Sequence, residues 1–165
     1  MREKSKATEW RPTAATPEQL TAFAASLFEG HIGLQFLELE SERVRASLTI
    51  SPPLRQASGV THGGVYCSMV ESVASVGATM PLNGKGYAVG VNNNTDFLRA
   101  TRDGILTAEA TPVFRGRQQQ LWRVVIKDGD GRQCAQGHVR LQNVMTKDLR
   151  PGRPGSDEPT AHPEE

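Results

Sequence analysis

The stretch 63-GGVYCSMVESVASVGATM-80 decides the fold. Val65, Met69, Val70, Val73 and Val76 recur at helical spacing, and Ser68, Ala74, Ser75, Gly77 and Ala78 stand among them. This predicts a helix that is apolar nearly all round and rich in small residues. Such a helix has to be buried, with other backbone approaching it closely on several sides. Pro81 and Asn83-Gly84 end it.

Outward from that helix the periodicity changes. After it come only strand patterns, at 87–99, 105–117, 119–127 and 132–144, with turn chemistry at Arg102-Asp103-Gly104 and Asp128-Gly129-Asp130-Gly131. Before it, 34–40 and 43–50 read as a strand pair with a turn near Ser41, and Pro52-Pro53 stops the second strand. Thr16-Pro17-Glu18-Gln19 is a capping box with proline at the first helical position. Leu20, Phe23, Ala24, Leu27 and Phe28 continue a helix from it, and Gly30 is expected to end it. The class is α+β, a long antiparallel sheet wrapped around a central helix, with an extra N-terminal helix.

At 165 residues the chain has room for one domain. We expect that domain over 16–146, after a flexible segment at 1–15. A disordered Pro-rich tail is expected over 147–165, which carries Pro151, Pro154, Pro159 and Pro163. The net charge of +1 and the scattered basic residues argue against a nucleic-acid partner. No apolar run approaches the roughly 20 residues of a membrane helix. The charged first ten residues lack the apolar region of a signal peptide. The expected location is cytoplasmic. Cys67 and Cys134 form no CxxC or Cys/His cluster, so no metal site is expected.

The chemistry concentrates around the central helix. Across 63–84, Glu71 is the only side chain that is an acid or base at neutral pH. A carboxylate in the most apolar helix of a chain is paired, protonated, functional or on the helix's one wet face. The preceding run, Gln56-Ala57-Ser58-Gly59-Val60-Thr61-His62-Gly63-Gly64, puts two glycines at the helix start. Their amides and the helix dipole favour negative charge, which is the requirement for an oxyanion site. Gly63 and Glu71 are eight residues apart, so about 12 Å along the axis. One substrate carbonyl cannot touch both groups on the same helix. If both act on one atom they come from two subunits, with antiparallel helices across a two-fold axis. Ser75, four residues after Glu71, shares its face and could orient it or a water.

The run Gln56-x5-His62-Gly63-Gly64-x6-Glu71-Ser72-x2-Ser75 resembles the signature of hotdog-fold acyl-CoA thioesterases. The likeness is to the phenylacetate-degradation (PaaI-like) branch, including the 4-hydroxybenzoyl-CoA thioesterases that use a glutamate. It continues through 90–99, Gly104-Ile105-Leu106-Thr107-Ala108-Glu109-Ala110 and Gly116-Arg117, and covers roughly 30–145.

The resemblance implies a hotdog fold and hydrolysis of an aryl- or medium-chain acyl-CoA. The Gly63 amide, with Gln56 nearby, would polarise the thioester carbonyl. Glu71 of the partner subunit would be nucleophile or general base. His62 would hold the loop or assist the leaving thiolate, and Ser75 would support Glu71 or water. Coenzyme A would be part of the substrate, with no further cofactor. The assembly would be a homodimer or a dimer of dimers, the homotetramer being favoured. Gly64, Met69, Val73 and Met80 are candidates to line the substrate pocket. Arg99, Arg102, Arg115 and Arg117 are candidates for the CoA phosphates. Two rival readings remain open: a hotdog hydratase or dehydratase acting on an acyl thioester, and a hotdog that binds acyl-CoA without turnover.

Overall fold

The structure, a computed structural model, describes residues 15–146. The segments expected to be flexible or disordered, 1–15 and 147–165, lie outside the described residues apart from Ala15. Chain order is α1 (Pro17–Ala24), α2 (Phe28–Ile32), β1 (Leu34–Glu40), β2 (Arg43–Thr49), α3 (Gly63–Thr79), β3 (Gly86–Phe97), β4 (Ile105–Arg115), β5 (Gln119–Lys127) and β6 (Gln133–Met145). The six strands form one antiparallel sheet in the order β1-β2-β4-β5-β6-β3. From β2 the chain crosses through α3 and enters β3 at the far edge of the sheet.

The N-terminal helix departs from expectation. The capping box at Thr16 and Gln19 is formed, but α1 stops at Ala24 and a second short helix follows. Gly30 does not end a helix. It sits inside α2 with its Cα against the Ala25 carbonyl, where any side chain would collide with backbone. Gly33 ends α2 instead, with φ 76°, a left-handed conformation that favours glycine. Thr21 Oγ1 accepts a hydrogen bond from the Phe36 amide at 2.9 Å, which ties α1 to β1.

The central helix is buried along most of its length, as expected, with Gly63, Gly64, Cys67, Ser68, Glu71 and Ser75 left partly exposed. α3 contacts all six strands, and Met69, Val70, Val73 and Ala74 have no exposed surface. The sheet answers with alternating inward residues: Val44, Ala46 and Leu48 on β2, Leu106, Ala108 and Ala110 on β4, Trp122, Val124 and Ile126 on β5. Close approach needs small residues at two points. A methyl group at Gly77 would come within 2.6 Å of the Trp122 ring, and one at Gly137 within 2.7 Å of Val70. Buried Gln120 ties the same region together. Its Nε2 donates to the Ala78 carbonyl and to Asn143 Oδ1, both at 2.8 Å, and its Oε1 accepts from Trp122 Nε1 at 3.0 Å.

Trp122 has no exposed surface and cannot retreat from added bulk. Gly77→Ala is therefore expected to destabilise the fold by about 1–3 kcal/mol, the range for overpacking a filled core. Chemical denaturation reads this directly, and an unchanged midpoint would mean that the contact has slack.

Candidate active site

The loop before α3 is a preformed turn. The Gln56 amide donates to the Val60 carbonyl and the Gly59 amide to the Gln56 carbonyl, both at 2.8 Å. Its end is anchored on the segment after β3: the Thr61 amide donates to the Thr101 carbonyl at 2.8 Å, and the two threonine hydroxyls lie 2.8 Å apart. The Tyr66 hydroxyl, from the first turn of α3, joins Thr101 Oγ1 at 2.7 Å. The loop and the helix start are thus fixed to the same buried cluster.

His62 is the N-cap of α3, and its Nδ1 accepts the Gly64 amide at 2.9 Å. With Nδ1 as acceptor, a neutral ring carries its proton on Nε2. Gly64 is therefore not a free donor, since His62 already occupies its amide. The Gly63 amide is different: among the described residues it meets no acceptor. It opens on a cleft of about 530 Å³ lined by Gln56, His62, Gly63, Gly64, Phe97 and Arg99, with Cys67 beside them. The Phe97 ring covers Gly63 so closely that a methyl group there would lie 3.0 Å from it. Gln56, His62 and Gly63 are brought together as the sequence suggested, at the positive end of a helix dipole.

Glu71 is not in that cleft. Its Oε2 accepts a hydrogen bond from Asn93 Nδ2 at 3.0 Å, and the same nitrogen donates to the Cys67 carbonyl at 3.1 Å. Asn93 Oδ1 in turn accepts from Thr95 Oγ1 at 2.7 Å. Glu71 Oε1 rests against the Cα of Gly90, where an added Cβ would collide with the carboxylate unless it swung away. A β-bulge makes this seat. Pairing between β3 and β6 shifts register between Gly90 and Asn92. Ala88 and Gly90 face α3 before the shift, and Asn93, Thr95 and Phe97 face it afterwards. Asn93 was not among the sequence candidates. The polar triplet Asn92-Asn93-Asn94 in a strand was the available signal, but the bulge that selects its middle member is not visible in the alternation.

Ser75 makes no hydrogen bond with Glu71. It lines a second, mostly apolar cavity of about 610 Å³ between α1, α2, α3 and β3, with Leu20, Phe23, Leu27, Val76 and Tyr87 on its walls. Ser72 and Glu29 meet at its edge, Ser72 Oγ donating to Glu29 Oε1 at 3.1 Å. Around the helix Ser75 lies about 40° from Glu71, yet the carboxylate is not part of the cavity wall.

Other candidates fall elsewhere. Met69 and Val73 are wholly buried against the sheet and line neither cavity, because the helix face they occupy is the one the sheet covers. Met80 is half-buried and packs on the core. Arg115 is held by Glu42 at 2.6 Å and by the Ser41 carbonyl, over the Trp122 ring. It fixes the β1–β2 turn rather than facing a cavity. Arg117 lies on the β4–β5 turn, outside both cavities, and Arg102 reaches the Ser58 carbonyl at 3.4 Å. Arg99 alone of the four lines the cleft. Both cysteines are free, and burial pushes the Cys134 thiol up, away from nucleophilic use. Among the described residues no His/Cys/Asp/Glu group could hold a metal, and no helix is long and apolar enough to cross a membrane.

A six-stranded antiparallel sheet curled around one long helix is the hotdog architecture. Residues 58–135 match the model of the thioesterase superfamily. A Mycobacterium tuberculosis protein provisionally named an esterase is 51% identical over 123 residues, which is 73% of this chain and 88% of that one. The 1,4-dihydroxy-2-naphthoyl-CoA hydrolase of Escherichia coli is 26% identical over 124 residues, 75% of this chain and 91% of its own. The solved structure of a thioesterase from Haemophilus influenzae superposes with a TM-score of 0.80 at 25% identity, covering 87% of this chain and 99% of that one. The chain belongs to the thioesterase superfamily and is a thioester hydrolase.

Gly90→Ala tests the carboxylate's seat. The atoms that collide are the end of a flexible side chain, so the variant is expected to fold with a near-native melting midpoint and to turn Glu71 off Asn93. Its solved structure is the measurement. A carboxylate still bonded to Asn93 would show that the seat is looser than described.

Proposed function

We propose that the protein hydrolyses acyl-CoA thioesters at a site shared by two subunits. The observation that carries the proposal is the division of labour along α3. The free Gly63 amide opens on one cleft at the helix start, and Glu71 lies farther along, held on β3 by Asn93 and lining neither cavity. The two are about 12 Å apart on one axis. Antiparallel helices across a two-fold axis would bring the Gly63 cleft of one chain to Glu71 of the other.

β3 supports this arrangement. It is an edge strand whose outer side pairs with no described strand, and it exposes Tyr87, Val89 and Val91 with no proline or lysine to guard it. Such an edge is a template for pairing with another chain. A homodimer through β3 is the minimum assembly the reading needs, and a dimer of dimers is compatible with it.

In this reading the thioester carbonyl accepts the Gly63 N–H, with Gln56 at hand in the same cleft. Charge then developing on that oxygen lies at the helix N-terminus, where it is favoured. Glu71 of the other chain takes the proton of an attacking water, or attacks the carbonyl itself to form a mixed anhydride that water then cleaves to the free acid, restoring Glu71. The thiolate of CoA leaves, and its proton comes from the solvent or from His62. The acyl group lies in the apolar cavity beside Ser75, where an aryl or medium aliphatic group fits the walls. Arg99 at the cleft is the candidate for a CoA phosphate. No cofactor is needed, since water, one carboxylate and backbone donors complete the reaction. The relatives named for 1,4-dihydroxy-2-naphthoyl-CoA hydrolysis and for a proofreading thioesterase support acyl-thioester chemistry on this scaffold.

Glu71→Gln is expected to keep the fold and CoA-ester binding and to lose at least about 10²-fold in turnover. Thiol release over a panel of acyl-CoA esters measures it. Near-normal turnover would sink the assignment, and a change of acyl unsaturation without CoA release would turn the reading toward a hydratase.

The shared site has its own test. Gln56→Ala/Gly63→Val and Glu71→Gln proteins, each expected to be strongly impaired, are mixed and allowed to exchange subunits. One site of each mixed dimer then regains both halves, so activity should return to up to about half of the mixed dimers' sites. Exchange confirmed by mass with no recovery would place a full site within one chain.

A further inference from the structure

We propose that Asn93 is a positioning residue for the reaction. By this proposal it holds the Glu71 carboxylate on the edge strand β3, where the second chain's Gly63 cleft arrives, and so sets the reach of the acid without itself touching substrate. The proposal rests on the reading of Glu71 given above.

A glutamate on a helix surface has three rotatable side-chain bonds and no preferred direction of its own. Here two contacts on Glu71, from Asn93 and Gly90, and two more that fix Asn93 itself remove that freedom. Asn93 Nδ2 has two protons. One goes to Glu71 Oε2 at 3.0 Å, the other to the Cys67 carbonyl one helical turn earlier at 3.1 Å. Thr95 Oγ1 donates to Asn93 Oδ1 at 2.7 Å and fixes the amide plane. Gly90 supplies a bare backbone surface for Oε1.

The amide orientation follows from the same partners. Turned over, it would set Oδ1 against a carbonyl and a carboxylate, two acceptors with no proton between them. A neutral donor is also the chemistry the task requires. A lysine or arginine in that place would form an ion pair with the carboxylate, whereas an amide steadies one oxygen and leaves the other available.

The bulge in β3 assigns this role to residue 93 rather than its neighbours. Strand alternation puts Asn92 and Asn94 on the opposite face, so the triplet contributes only its middle member to Glu71. The seat also explains why the carboxylate belongs to the edge of the sheet and not to the interior: its partners are β3 backbone and side chains, on one of the sheet's two edge strands.

A double-mutant cycle tests the assignment, read as steady-state kinetics on one acyl-CoA ester that the wild type hydrolyses. Asn93→Leu is expected to lower kcat by about tenfold or more, the scale on which misplaced catalytic groups lose rate, while KM stays within about twofold. In the Glu71→Gln background the same substitution is expected to change the residual rate by less than about twofold, because a residue that acts through Glu71 has nothing left to position. Asn93→Asp, nearly the same shape, covers the case in which leucine disturbs the fold. It keeps the Thr95 bond but cannot donate to Glu71, and it should show the same pattern. An equal loss from Asn93→Leu or Asn93→Asp in both backgrounds would make Asn93 merely structural and overturn the proposal. Unchanged kcat in the single variants would overturn it too. Normal turnover by Glu71→Gln alone would instead overturn the reading of Glu71 itself, so the two failures are told apart.

Discussion

The distance between α3 and the sheet is set where Gly77 meets the Trp122 ring and where Gly137 meets Val70. Everything else in the molecule depends on that approach. With larger side chains at those points the helix would stand off the sheet, and the inward residues of β2, β4 and β5 would face a gap. Because the approach is close, a helix with almost no polar surface can be enclosed. Its one carboxylate is then left at the margin of the sheet, on edge strand β3.

That enclosure divides the helix into regions with different chemistry. Its first turn is held by His62 and by the Thr61–Thr101–Tyr66 hydroxyl cluster, which leaves the Gly63 amide open to a cleft. Its middle carries Glu71 onto β3. Its last turns face the cavity under α1 and α2, and Gln120 secures its end through the Ala78 carbonyl. A single chain therefore holds the Gly63 amide and the Glu71 carboxylate apart on one helix, which is the separation the proposed shared site requires. Rigidity is what makes the separation meaningful, since neither end can slide toward the other without unpacking the core.

Edge strand β3 does three jobs at once. It pairs with β6, it seats Glu71 through Asn93 and Gly90, and it presents an open hydrogen-bonding edge. The bulge near Val91 reconciles these demands. It changes which residues face the helix partway along the strand, so that small residues lie under Glu71 and polar or aromatic ones lie beside the helix start.

Much of this was legible in the chain. The apolar helix with small residues, the strands on either side of it and the turns between them follow from periodicity and from Gly and Pro positions, which are local signals. The charge isolation of Glu71 and the Gly63-Gly64 helix start were also readable, because both are features of one short segment. The break between α1 and α2 was not, since the apolar spacing runs unbroken through it while Gly30 packs against the Ala25 carbonyl. Nor was the fate of Met69 and Val73, which share the apolar pattern of a pocket wall but face the sheet. The partners of Arg115, a carboxylate and a carbonyl on the β1–β2 turn, come from a segment more than seventy residues away. Asn93 is the clearest case. Composition marks a polar triplet in a strand, yet only the register shift against β6 decides which of the three asparagines meets Glu71. Periodicity fixes which residues must be buried, because it is a property of neighbours in sequence. Which buried or polar group meets which is decided by long-range pairing, and that exists only once the sheet has closed around the helix.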